Sequence, residues 1–134
     1  PMPLLTPDQL AALVAPLPGD APAGEDLRYD ARYAAIKDAR REDDELPQGG
    51  LATERKVADW PRMVLETTAL LTRESKDLQL AAWLTEALLK REGLAGLAQG
   101  LTVLHGLLDG LWDHVHPVPE DDDDIAVRTG PLNW

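Results

Sequence analysis

The segment from residue 77 to residue 92 limits the possible folds most strongly, because its apolar residues would cover nearly the whole circumference of a helix. The polar residues Gln79, Glu86 and Lys90 leave only a narrow strip. A helix that is apolar on almost every side has to lie inside a protein. Asp77 can cap its N-terminus and Gly93 can follow its last turn. We therefore predict a central helix over 77–92.

A second apolar helix is predicted directly after Gly93, from Leu94 to about Val115. Its apolar residues recur at alternating steps of three and four, the spacing of a buried seam on one helix face. The segment also contains four glycines, each of which costs about 1 kcal/mol relative to alanine inside a helix. We expect a closely packed neighbouring helix to offset that cost. The seam residues are Leu94, Leu97, Leu101, Leu104, Leu108, Leu111 and Val115, and the glycines are Gly96, Gly100, Gly106 and Gly110.

The same segment raises the alternative of a membrane span, since Asp109 is the only charged residue between Leu94 and Trp112. Its polar residues nevertheless fall within about a third of the helix circumference, at 3.6 residues per turn. A lone span facing lipid would not keep such a stripe. We predict that the domain does not insert into a membrane. The stripe consists of Gln99, Thr102, His105, Asp109 and Asp113.

Three further helices are indicated by capping residues. Thr6 with Gln9 forms the pattern of a capping box and predicts a helix to about residue 15. Asp30 can cap a helix that ends near Arg41, and Asp59 can cap a third. In that third helix, five apolar residues are spaced for burial, namely Met63, Val64, Leu65, Leu70 and Leu71.

The fold class follows from these elements and from residue usage. Phenylalanine is absent and β-branched residues are sparse, which favours helices over strands. The segment 18–30 is rich in proline and glycine and is predicted to be an ordered loop, whereas 42–57 is predicted to be a mobile one. We expect an all-α protein, a compact bundle of about five to six helices with long ordered loops, forming one domain over 1–134.

The formal charge of −11 is concentrated in two acidic runs. One run is formed by Glu42, Asp43, Asp44 and Glu45, and the other spans Glu120 to Asp124. Lysine and arginine are not clustered anywhere, so the chain lacks what binding to a phosphate backbone or an anionic membrane requires. We predict no nucleic-acid partner.

Residues that could support catalysis or bind a metal are few. The chain has no cysteine and neither of the usual phosphate-loop or nucleophile-elbow motifs. His105 with Asp109, and Asp113 with His114 and His116, are the remaining candidates, but no nucleophile or third ligand accompanies them. The run of aspartates at 121–124 lacks the spacing and turn glycine of a calcium loop. We therefore predict no enzyme activity, no cofactor and no metal site.

Three stretches of the sequence have a recognisable pattern when taken together. They are the loop from Pro18 to Asp30, the helix from Lys76 to Ala87 and the terminal segment from Gly130 to Trp134. Together they resemble one family, the ImpA N-terminal domain of type VI secretion. The Asp59-Trp60-Pro61 helix start and the segment from Trp112 to Pro117 also resemble the family, in the same order. The chain is thereby identified as a TssA-like domain and interpreted as a fragment of a longer protein.

The resemblance implies a non-enzymatic interaction module. Family members help to build the contractile tail and contact sheath, tube, baseplate or membrane-complex components in the bacterial cytoplasm. It also implies a C-terminal region that forms a homo-oligomeric ring, around which N-terminal domains would be displayed as repeated arms. Two alternatives stay open, a membrane-tethered ImpA-family accessory protein that caps or anchors the sheath, and an α-solenoid-like peptide-binding module.

Two groups of residues are candidate sites. The acidic run from Glu42 to Glu45 is the candidate docking site, because exposed like charges steer a basic partner and a loop can become ordered on contact. The second group lies in the loop from Pro18 to Asp30, which we call the family-motif loop, and is predicted to be structural. Its side chains would pin the loop across the bundle, with glycine providing a backbone turn. These residues are Asp20, Gly24, Glu25, Asp26 and Arg28.

Overall fold

The computed structural model describes residues 4–41, 57–120 and 125–133. In these ranges the chain forms four longer helices and two short terminal turns, without a strand, and the all-α prediction is confirmed. The helices are α1 (Pro7–Val14), α2 (Ala31–Arg40), α3 (Trp60–Arg73), α4 (Leu78–Gly110) and α5 (Ala126–Thr129), followed by a 3-10 turn at Gly130–Leu132.

The predicted capping residues begin the first four helices. At α1 the Thr6 hydroxyl accepts a hydrogen bond from the Gln9 amide at 3.1 Å, while the Gln9 side chain accepts one from the Thr6 amide at 2.8 Å. Asp30 accepts from the Arg32 amide and Asp59 from the Arg62 amide. These side chains satisfy amide groups that have no partner inside the helix.

Helix α4 contains the two helices predicted on either side of Gly93. That residue has a φ of 64° and a ψ of −143°, which interrupts the helical geometry and separates 78–92 from 94–110. Glycine adopts this conformation without the steric cost that a Cβ would add. The second part ends at Gly110 rather than near Val115, and the following residues form turns.

The core is built around the first part of α4, as its apolar circumference predicts. Most residues of this part are buried, including all of 80–88, and α3 packs along it. The rings of Tyr33 and Trp83 lie 4.9 Å apart and join α2 to this helix. Burying each large apolar side chain stabilises the fold by about 1.5–3 kcal/mol.

Several residues that were predicted to be buried face solvent instead. Leu65 is 69% exposed, Leu94 is 79% exposed and Leu101 is 52% exposed, so the seam of the second apolar helix is only partly covered. The close neighbour that we expected at the glycines of this helix is present at Gly100, which lies against Thr85. It is absent at Gly110, where an added Cβ would have nothing within 4 Å. The periodicity identified the helix correctly but could not show how much of its apolar face the bundle would cover.

Candidate interaction surfaces and the buried junction

The family-motif loop passes over the turn between α3 and α4, and backbone hydrogen bonds join the two. The Glu25 amide donates to the Glu74 carbonyl at 3.1 Å, and the Lys76 amide donates to the Ala23 carbonyl at 2.7 Å. Gly24 lies between them with a φ of 71°, and a Cβ there would approach the Glu74 carbonyl oxygen to 2.0 Å. This position therefore requires glycine, both for its backbone angle and for space.

The segment after α4 returns to the same turn. The Leu78 amide donates to the His116 carbonyl at 2.8 Å, and the His116 amide donates to the Lys76 carbonyl at 2.9 Å. The His116 Nε2 lies 2.9 Å from the Gly24 carbonyl oxygen. Three parts of the chain that are distant in sequence are thus joined at one place, which we call the buried junction (Ala23–Glu25, Glu74–Leu78 and 115–117).

Lys76 extends the buried junction to α1. Its side chain is fully buried, and its Nζ donates to the carbonyls of Ala12 and Leu13 at 2.9 and 3.0 Å. These carbonyls belong to the last turn of α1, where a positive charge is favoured by the helix dipole. Burial lowers the pKa of the Lys76 ammonium to about 8. The lysine therefore acts as a cap for a helix more than sixty residues before it in sequence.

Asp77 is a second charged residue that is buried in the junction. Its carboxylate accepts from the amides of Gln79 and Leu80 at 2.7 and 3.1 Å and so caps α4. Burial raises the pKa of this carboxyl to about 6, although the two amide hydrogen bonds act in the opposite direction. The side chains of Lys76 and Asp77 thus both form hydrogen bonds with backbone groups, an arrangement that stabilises the fold.

The histidines that the sequence singled out lie in different surroundings. His105 is exposed, and His116 contacts the backbone of Gly24. Within the described ranges, no group of three or more histidine, aspartate or glutamate side chains is placed to hold a metal ion. The described helices also include none long and apolar enough to cross a membrane.

The side chains of the family-motif loop make mostly local contacts. The Arg28 amide donates to Asp26 at 2.9 Å, and the Arg28 guanidinium lies 3.6 Å from the same carboxylate, with both side chains substantially exposed. Arg28 also lies over the ring of Tyr29, which is 90% exposed. Asp20 and Glu25 face solvent. The hydrogen bonds that bind this loop to the buried junction come from the backbone, and a pinning role for these side chains stays a prediction.

The acidic run from Glu42 to Glu45 lies outside the described residues. Its role as a docking site stays a prediction. Arg40, near the end of α2, forms an ion pair with Glu86 in which the guanidinium donates three hydrogen bonds of 2.8 to 3.1 Å. Glu86 is only 8% exposed, although the sequence placed it in a polar strip. This pair fixes the end of α2 to the central helix.

Two grooves on the surface are candidate docking sites that sequence analysis missed. The first, which we call the leucine groove, has a volume of about 470 Å³ and lies along the second part of α4. The second, the Trp112 groove, has a volume of about 360 Å³ and combines apolar with charged residues. The leucine groove is lined by Leu97, Leu101, Leu104, His105, Leu108 and Leu132. The Trp112 groove is lined by Trp112, Asp113, Val118, Pro119, Glu120, Ile125 and Arg128.

The fold and the buried junction define an all-α domain whose three distant segments are tied together by backbone hydrogen bonds. Residues 14–134 match the family described as ImpA, N-terminal, type VI secretion system, and the chain belongs to this family. It is a TssA-like N-terminal domain. This assignment displaces the interpretation as a helical-repeat module.

Two relatives support the assignment. The type VI secretion system component TssA1 of Pseudomonas aeruginosa is 35% identical over 112 residues, which are 84% of this chain and 32% of that protein. A solved N-terminal domain of TssA from Burkholderia cenocepacia, which includes the conserved ImpA_N region, is 39% identical with a TM-score of 0.82. That comparison covers all of this chain and 49% of the other. The chain therefore spans about a third to a half of the proteins that it matches.

Proposed function

We propose that this domain is a non-enzymatic interaction module of a TssA-like component, and that it contributes to assembly of the contractile tail by contacting sheath, tube, baseplate or membrane-complex subunits. The likeness to a TssA N-terminal domain over the whole chain carries this proposal. The proposed location is the bacterial cytoplasm, at the secretion apparatus.

The surface of the domain supports an interaction role. Leu94, Leu101 and Leu132 are exposed, and the last two line the leucine groove. Contiguous apolar surface of this kind often marks a contact site for another protein. The charged side chains of Lys76 and Asp77 in the buried junction, by contrast, are engaged in hydrogen bonds that hold the fold together.

Display around a ring would strengthen weak contacts. If the rest of the protein forms a homo-oligomeric ring, several copies of the domain face the same assembly. Binding of one copy then raises the effective concentration of the next, so the whole ring can bind far more tightly than a single domain. A modest affinity of the isolated domain is compatible with this arrangement.

The test is a binding measurement on the isolated 1–134 domain. The domain is immobilised, and separately purified sheath, tube, baseplate and membrane-complex subunits of the same secretion system are passed over it at low and at physiological salt. We expect saturable binding to at least one subunit. To include the avidity effect, the domain is also fused to an unrelated ring-forming scaffold. Absence of binding by both the single domain and the scaffolded ring would refute the proposal.

The acidic run is tested in the same experiment. We propose that Glu42 to Glu45 steer a basic partner, so Asp43→Lys with Asp44→Lys should slow association at low salt. The exposed carboxylate of Asp109 provides the control, as Asp109→Lys introduces the same type of change on α4. Equal association rates for the wild type and the double variant would show that the acidic run does not steer the partner.

A further inference from the structure

The Trp112 groove differs from the leucine groove in carrying negative charge beside exposed apolar surface. Three of its apolar side chains are nearly half exposed, with exposed fractions of 46% for Trp112, 48% for Val118 and 46% for Ile125. Tryptophan is among the residues that most often dominate the binding energy when a partner covers them. The groove thus offers an aromatic ring and two aliphatic contacts side by side.

Acidic side chains lie at the solvent-exposed rim of the Trp112 groove. Asp113 and Glu120 line the groove and are both exposed. A ligand that enters this groove therefore meets carboxylates from two parts of the chain.

The one cation of the lining, Arg128, is turned toward the protein. Its Nε donates to the Pro117 carbonyl and its Nη2 to the Val115 carbonyl, each at 3.1 Å. The guanidinium lies 4.4 Å from the centre of the Trp112 ring, and the residue is only 4% exposed. Arg128 therefore lies against the Trp112 ring from inside the protein, and although its charge interacts with Asp113, it presents almost no cationic surface to a ligand.

We propose that the Trp112 groove binds a basic segment of a protein partner, in which an arginine or lysine lies against the exposed part of Trp112 near Asp113 and Glu120, while a neighbouring apolar residue contacts Val118 and Ile125. Cations are attracted both by carboxylates and by the indole ring. Nucleic acid and anionic membranes are excluded as occupants because the same carboxylates would repel them. This inference deepens the proposed function and rests on it, since it names one surface and the chemistry of its partner.

The first test uses a defined probe and needs no secretion subunit. The isotope-labelled 1–134 domain is titrated, in an NMR experiment, with a short synthetic peptide of alternating arginine and leucine. We expect saturable shifts of the Trp112 indole N–H and of the Val118 and Ile125 methyl groups, weakened by salt. A peptide with glutamate in place of arginine should leave these signals unchanged. Absence of shifts at the groove, or shifts spread evenly over all acidic residues, would overturn the inference.

The second test uses variants against any secretion subunit that binds the wild type. Trp112→Ala and the double variant Asp113→Asn with Glu120→Gln should each weaken binding roughly tenfold. Asp109→Asn, which removes an exposed carboxylate outside the groove, should leave the affinity unchanged. The double variant keeps the indole in place, so it decides the question even if Trp112→Ala lowers the melting temperature.

The outcomes separate this inference from the proposed function. If a subunit binds and both groove variants bind it as well as the wild type, the Trp112 groove is not the docking site and the proposed function stands. If no subunit binds in any format, the proposed function fails, and the peptide titration alone decides whether the groove recognises basic segments.

Discussion

Gly24 lies so close to Glu74 that a Cβ on the glycine would come within 2.0 Å of the glutamate's carbonyl oxygen. The contact joins the family-motif loop to the turn between α3 and α4, beside the hydrogen bond from the Glu25 amide to the same carbonyl. The loop is therefore positioned by main-chain groups, and its glycine is the residue that permits their approach.

Gly24→Ala is expected to lower the free energy of unfolding by about 3 kcal/mol or more, because the left-handed backbone and the overlap with a carbonyl each cost about 1–3 kcal/mol. Denaturant titration measures the change. Gly19→Ala is the matched control, since Gly19 also has a positive φ, of 94°, but has nothing within 4 Å of the added Cβ. Equal losses for the two variants would show that the close approach to Glu74 is unimportant.

Arg28→Ala is expected to change the free energy of unfolding by less than about 0.5 kcal/mol, since exposed ion pairs contribute little. Its nearest carboxylate lies 3.6 Å away, and both side chains are exposed. A large loss of stability would support the predicted structural role of this side chain. Unchanged stability with lost binding to a secretion subunit would instead identify the loop as a docking surface.

Substitution of alanine for two glycines of α4 is expected to change the stability of the domain in opposite directions. At Gly100 a Cβ would lie 2.5 Å from the Thr85 hydroxyl oxygen, so Gly100→Ala should destabilise the domain by about 1–3 kcal/mol. At Gly110 the space is open, and Gly110→Ala should stabilise it by up to about 1 kcal/mol. Thermal unfolding of both variants checks this, and a stabilised Gly100→Ala would contradict the packing.

Lys76 should make stability depend on pH above neutrality. Its folded-state pKa of about 8 lies below the ordinary value of 10.5, so between these values the unfolded chain binds more protons than the folded one. Stability should therefore rise with pH from about 8 to 10.5. Lys76→Met, which removes the charge, should abolish this rise. Denaturant titrations of both proteins across this range provide the measurement, and parallel profiles would contradict the burial effect.

The ion pair between Arg40 and Glu86 is expected to show a coupling energy of about 1 kcal/mol in a double-mutant cycle with Arg40→Met and Glu86→Gln. Its carboxylate is nearly buried, but the Arg40 side chain is 40% exposed, which reduces the effect below that of a fully buried pair. The exposed pair of Arg62 and Glu66 on α3 is the comparison and should give about 0.3–0.5 kcal/mol. Equal values would show that burial of Glu86 contributes nothing.

The sequence predicted local features well because short-range physics controls them. The caps at Thr6, Asp30, Asp59 and Asp77 depend on side chains that reach amides two or three residues away. The break at Gly93 likewise follows from the freedom of a single residue. The central position of the first part of α4 follows from an apolar circumference that has to be removed from water.

Long-range contacts were decided only by the tertiary structure. In the sequence, Lys76 and Gln99 are ordinary polar residues, yet in the structure Lys76 caps α1. The Gln99 side chain accepts a hydrogen bond from the Leu5 amide and donates one to the Leu5 carbonyl. Periodicity also placed Leu94 and Leu101 in a buried seam that the bundle leaves exposed.

The sequence by itself therefore determined the all-α class, the helix starts, the central helix and the family resemblance. Each of these depends on the order of residues along the chain and on interactions within a few residues. Only the tertiary structure decided that main-chain hydrogen bonds of Ala23, Glu25 and Lys76 close the buried junction. It also decided that Trp112, Asp113 and Ile125 line one groove. Those relationships depend on how distant segments pack, because every residue has backbone donors and acceptors and sequence alone does not show which of them meet.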